Sequence, residues 1–110
     1  MELELHFDAG HGWLKVNMRD VLKVGLTAEM FSEYSYGEVD PMYQCWLYLE
    51  QDQDAVLFIY AAEARGIRVK VLEISDGAQS PIRNKATLSG ARADHGEQVL
   101  KQLMMERENA

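Results

Sequence analysis

Three residues near the N-terminus carry the side chains of a metal centre: His6, Asp8 and His11. Neutral imidazole nitrogens and a carboxylate oxygen are ordinary ligands for a divalent ion, and an ion so held could activate water. On an extended chain His6 and Asp8 point to the same side, so the pair can converge. Their spacing matches no established metal signature, and His11 falls in the turn Gly10-His11-Gly12, where local hydrogen bonding accounts for it as well. This trio supports one expectation, a small metal-dependent enzyme.

A second acidic group, Glu50, Asp52 and Asp54, could serve acid–base chemistry or calcium. A calcium loop needs a longer alternation of ligands with a fixed glycine and a closing Glu, which this stretch lacks. Asp52 as a helix cap and Asp54 beside the helix dipole explain the same residues with no added assumption. Cys45 stands in an apolar run without a basic neighbour to lower its pKa, the pattern of an inert core thiol. No phosphate loop, serine elbow or Walker pattern is present. No catalytic residue and no cofactor is therefore assigned.

The charge is more informative than any motif. The 110 residues carry a formal charge of −7, and no Lys or Arg stands between Lys23 and Arg65. That interval holds Glu29, Glu33, Glu38, Asp40, Glu50, Asp52, Asp54 and Glu63; the rest of the chain has ten acids against eleven bases. A field of one sign repels nucleic-acid backbones and attracts basic surfaces. Five aromatic residues, Tyr34, Tyr36, Tyr43, Trp46 and Tyr48, fall in the same interval. Tyr and Trp combine large contact area with a polar handle, which is why they dominate interface hot spots.

The elements that must position these residues read as an α+β domain. Residues 2–7 alternate polar and apolar as a half-buried strand, and Trp13 to Val16 forms its hairpin partner across the glycine turn. Arg19 to Val24 is a short helical turn closed by Gly25, and Thr27 caps a second. A turn at Gly37 to Pro41 precedes a strand at Met42 to Leu49 that is apolar on both faces. Residues 55–62 are apolar all round and make the buried central helix. Ile67 to Ile74 alternates as a strand, and Ser80 to Leu88 adds an edge strand with Pro81 at its start. The expected fold is thus a small mixed or antiparallel sheet of about 4–5 strands, the central helix, short N-terminal helical turns and a C-terminal helix. Residues 1–88 form the domain. Residues 89–110 form a linker and an amphipathic helix bearing Val99, Leu100, Leu103 and Met104.

At Gly10-His11-Gly12-Trp13-Leu14-Lys15-Val16 the chain resembles a family of small bacterial proteins, often plasmid- or phage-borne, with no assigned activity. The resemblance continues through Tyr34-Ser35-Tyr36, Tyr48-Leu49-Glu50, residues 52–58 and Ser80-Pro81-Ile82-Arg83, and stops before the C-terminal helix. It implies a mobile-element setting and no catalytic residue.

Charge, aromatics and resemblance together predict a small acidic protein-binding module in the cytoplasm. Its expected partner is a protein with a basic nucleic-acid-binding surface, as a counter-defence inhibitor of anti-CRISPR or anti-restriction type would have. The expected contact residues are Glu29, Glu33, Tyr34, Tyr36, Glu38, Asp40, Tyr43, Trp46, Tyr48 and Glu50. No direct nucleic-acid binding and no membrane contact are expected. Besides the metal-dependent enzyme, the remaining alternative is a homodimeric accessory domain joined through the C-terminal helix.

Overall fold

The computed structural model describes residues 1–88. Within them the chain makes a mixed α+β fold around a six-stranded sheet of order β5-β1-β2-β4-β3-β6. Strand β1 (Glu2–Phe7) pairs antiparallel with β2 (Gly12–Asn17), setting Leu5 beside Leu14 and His6 beside Trp13. Helix α1 (Met18–Lys23) follows directly, with the Asn17 side chain accepting from the Arg19 N–H at 2.9 Å. It ends where Gly25 adopts φ +84°, a left-handed turn that glycine makes without steric cost. The chain continues through a 3-10 turn (Ala28–Met30) into β3 (Tyr36–Val39) and β4 (Cys45–Glu50), an antiparallel pair.

Helix α2 (Asp54–Ala64) then crosses one face and delivers β5 (Lys70–Ser75) parallel to β1. Parallel neighbours need such a crossover, because a tight turn reverses direction. A second 3-10 turn (Pro81–Asn84) and the two-residue β6 (Ala86–Thr87) complete the described chain.

Strand alternation divides the core into two layers. Leu3, Leu5, Leu14, Val16, Leu47 and Leu49 face the helices and meet Val21, Phe31, Leu57, Phe58, Ala61 and Ala62. The other face carries Trp13 and Tyr48, buried beneath Ile82 of the second 3-10 turn, with Tyr36 and Trp46 against them. Ile82 is only 3% exposed, so a short loop supplies the cover that a second layer of helices gives in larger folds.

Several elements differ from the sequence reading. The sheet has six strands rather than four or five, because Tyr36–Val39, where a turn was expected, is a strand. The reversal comes later, at residues 40–44, where Asp40 Oδ1 accepts from the N–H groups of Met42 and Gln44. The expected strand from Ser80 is mostly a 3-10 turn: the Ser80 hydroxyl accepts from the Ile82 N–H and Pro81 takes the first position, leaving only Ala86–Thr87 to pair. The strand expected to alternate over Ile67–Ile74 is Lys70–Ser75 and does not alternate in burial: it lies at the sheet's edge, with the neighbours Val71 39% and Leu72 41% exposed. Asp52 does not cap α2. The N-cap is Gln53, without a side-chain bond, and the Glu50 carboxylate instead accepts from the N–H groups of Asp52 (2.6 Å) and Gln53 (3.1 Å). The expected C-terminal helix lies outside the described residues. None of the helices among the described residues is long and apolar enough to cross a membrane.

Candidate functional site

Asp8 organises one end of the sheet. Its side chain is buried and accepts five hydrogen bonds, two from Arg83 (2.7 and 3.0 Å) and one each from the N–H groups of Ser80, Gly10 and His11. The backbone at Gly10 and His11 thus folds back onto the Asp8 carboxylate, and the loop at Ser80 to Arg83 is clamped to the same side chain. The Arg83 guanidinium, followed by the Ser80 N–H, holds the Asp8 carboxyl far below the usual carboxylate range against the opposing effect of burial. Arg83 itself lies over the Trp13 ring, 5.1 Å from its centroid. Asp76 extends the network, bonded by the Ser80 hydroxyl (2.6 Å) and by His6 Nδ1 (3.1 Å).

Asp54 does similar work at the start of α2. Buried at 1% exposure, it accepts from the Ser32 N–H (2.8 Å), the Ser32 hydroxyl (2.7 Å) and the Ser35 hydroxyl. Ser35 Oγ in turn accepts from the Glu50 N–H at 2.9 Å. These bonds fix the segment between the 3-10 turn and β3, and so place Tyr34 and Tyr36. The Trp13 indole N–H donates to the Tyr34 carbonyl at 3.3 Å, and the Trp13 and Tyr36 rings meet edge-on with centroids 6.0 Å apart.

Between these two anchors lies a cavity of about 400 Å³. Trp13, Tyr34 and Tyr36 line it with rings, and His11 stands at the β1–β2 turn. Glu50, the register partner of Trp13 across β2 and β4, lines it with Asp52 and Gln53 where β4 passes into α2, and Arg83 completes the lining. The five segments on which the resemblance rests are spread along the sequence, and together they supply all eight of these residues. No family model, curated protein or solved structure matches this chain. The site is accordingly read from its own chemistry.

The metal trio does not assemble. Both oxygens of Asp8 are taken by Arg83 and backbone donors; His6 is held between Asp76 and Glu4 (3.0 Å) on the other side of the sheet from the helices; His11 is exposed beside Trp13. Among the described residues no group of three or more His, Cys, Asp or Glu side chains is placed to hold an ion.

The ten expected contact residues divide in space. Tyr34 and Tyr43 are exposed, at 66% and 91%, and so are Glu29 and Glu33. Tyr36 and Glu50 line the cavity. Tyr48 is buried, with its hydroxyl donating to Glu38 at 2.9 Å; burial first, then that carboxylate, pushes its pKa up. Glu38 also meets Lys85 at 2.8 Å, and that ammonium followed by the Tyr48 hydroxyl holds its carboxyl down. Asp40 shapes the β3–β4 turn and accepts from the Trp46 indole N–H at 2.9 Å; this bond, with that from the Gln44 N–H, lowers its pKa.

The interval that lacks cations in sequence therefore receives them in space. Lys15 sits 4.6 Å over the Trp46 ring and Lys85 lies 5.3 Å over Tyr48. Sequence reasoning missed Arg83, Trp13, Asp52 and Gln53 as parts of one site. The available signal was chemical only: an arginine's planar fork matches a carboxylate with two bonds, as Arg83 and Asp8 do.

Proposed function

We propose that this protein is a binding module that docks on a basic surface of another protein. The observation that carries the reading is where the exposed apolar side chains fall. Of the seven large hydrophobic residues exposed among the described residues, four lie between residues 34 and 43: Tyr34, Val39, Met42 and Tyr43. They occupy the two ends of β3, within the interval that holds eight carboxylates and no cation of its own.

The turn at residues 40–44 strengthens it. Tyr43 has φ +61°, the left-handed region that side chains other than Gly, Asn and Asp rarely enter. Such a conformation costs of order 1–3 kcal/mol and persists only where the surroundings impose it. Here Asp40 imposes it through its bonds to Met42, Gln44 and Trp46, while the Tyr43 side chain touches little of its own fold. A rigid, exposed aromatic residue is what an interface anchor requires, because little entropy is lost when it is buried.

Carboxylates around such anchors speed encounter with a basic partner and make the affinity fall as salt rises. The counter-defence form of this reading, in which the partner is a CRISPR effector or restriction enzyme blocked at its nucleic-acid groove, is supported by the resemblance to plasmid- and phage-borne proteins. The test is capture from a bacterial lysate at low and high salt, with captured proteins identified by mass spectrometry. The proposal expects a basic, nucleic-acid-binding protein that elutes as salt is raised. Capture of no such protein at low salt sinks it.

A further inference from the structure

We infer that the cavity between Trp13, Tyr34 and Tyr36 is a receptor for one cationic side chain of the partner, a guanidinium or an alkylammonium. The inference rests on the docking reading and adds to it the class of group that enters the cavity. At about 400 Å³ the cavity is near the lower end of the range for ligand sites, the scale of a single side chain or small ligand rather than a dinucleotide.

Its charge selects the sign. Among the described residues Arg83 is the one permanent cation on the wall, and its Nε and Nη2 both donate to Asp8, whose charge offsets it. Glu50, beside Trp13 in the sheet, and Asp52 remain. Two backbone donors just ahead of α2 are already occupied: the Asp52 and Gln53 N–H groups donate to Glu50. An entering anion would therefore meet two carboxylates. An entering cation meets two carboxylates and the negative faces of aromatic rings.

The chain itself shows what these rings accept. On the same side of the sheet Lys15, Arg83 and Lys85 each lie over an aromatic ring, those of Trp46, Trp13 and Tyr48. Tyr34, whose carbonyl takes the Trp13 indole bond, stands 66% exposed at the mouth, free to cover a further cation.

The experiment is titration of the full chain with N-acetyl-arginine amide, followed by nuclear magnetic resonance at the Trp13 indole N–H. N-acetyl-glutamine amide serves as the neutral control and inorganic phosphate as the anionic one. The proposal expects a saturable shift with the arginine probe alone. It also expects Asp52→Asn and Tyr34→Ala each to weaken binding roughly two- to fivefold, the scale of one exposed ion pair or cation–π contact. Both side chains are exposed, so both variants keep the fold. A response to the glutamine probe equal to that of arginine, tighter binding of phosphate, or no saturable shift at all overturns it. If lysate capture succeeds while the arginine probe fails, only this inference falls; if the probe binds while capture fails, the docking reading falls.

Discussion

Replacing Tyr43 with glycine separates a residue kept for folding from one kept for contact. Its left-handed backbone costs a side-chain-bearing residue about 1–2 kcal/mol, a penalty glycine does not carry. Against that, glycine gains freedom in the unfolded chain, which costs about 0.4–1 kcal/mol of stability. No packing term enters, since the side chain is 91% exposed. The Tyr43→Gly protein should thus be more stable than the wild type by about 0.5–1 kcal/mol, which for a domain of this size raises Tm by roughly 2–6 °C. Thermal and urea unfolding, followed by circular dichroism, measure it directly. The same variant should bind the captured partner at least about tenfold more weakly, as loss of an aromatic anchor does. A variant destabilised by more than about 0.5 kcal/mol would refute the reasoning, because it would mean that Tyr43 packs against its own fold.

Three further outcomes follow from the anchors of the site. Asp54→Ala should lower stability by about 3–5 kcal/mol in urea titration, since it orphans buried donors of Ser32 and Ser35 and releases the Tyr34 segment. Asp8, Glu38, Asp40 and Asp76 all have pKa values lowered by folding, so the unfolded chain takes up protons first as pH falls. Stability should then be flat near neutrality and decline progressively below about pH 5, with Asp8→Asn showing a shallower decline than the wild type. Deleting residues 90–110 should leave a core that still unfolds cooperatively by calorimetry, because the six strands and both buried layers lie within residues 1–88.

Alternation carried β1, whose burial follows the two-residue repeat, whereas the core helix and the two-faced strand β4 were legible because they are apolar on every side. Sequence pattern failed where side chains overrode propensity. Gly37 and Glu38 read as a turn, yet they are strand residues, since Asp40 supplies a better reversal two residues on. Asp54 read as a dipole partner for its helix, whereas it is a buried acceptor tying that helix to a serine-containing loop 19 to 22 residues earlier. The site was half legible. Tyr34, Tyr36 and Glu50 stood out through their grouping, but Arg83 and Trp13 could not be joined to them before the 3-10 turn at Pro81–Asn84 was seen to fold over the sheet. The charge interval was legible as a count only. In space Lys85 neutralises Glu38 and three cations cover the aromatic face, so the docking surface proposed above is smaller than the interval and is confined to the ends of β3.

The claim that this surface is the docking site is tested most directly by comparing two variants of identical net charge. One carries Tyr34→Ala, Met42→Ser and Tyr43→Gly at the ends of β3; the other carries Val71→Thr and Leu72→Thr on the exposed edge strand β5. Affinity for the captured partner, measured by calorimetry at fixed salt, should fall by about 2 kcal/mol or more, roughly thirtyfold, for the first and stay unchanged for the second. Unchanged affinity in the first, with loss in the second, would place the partner on β5 and contradict the account.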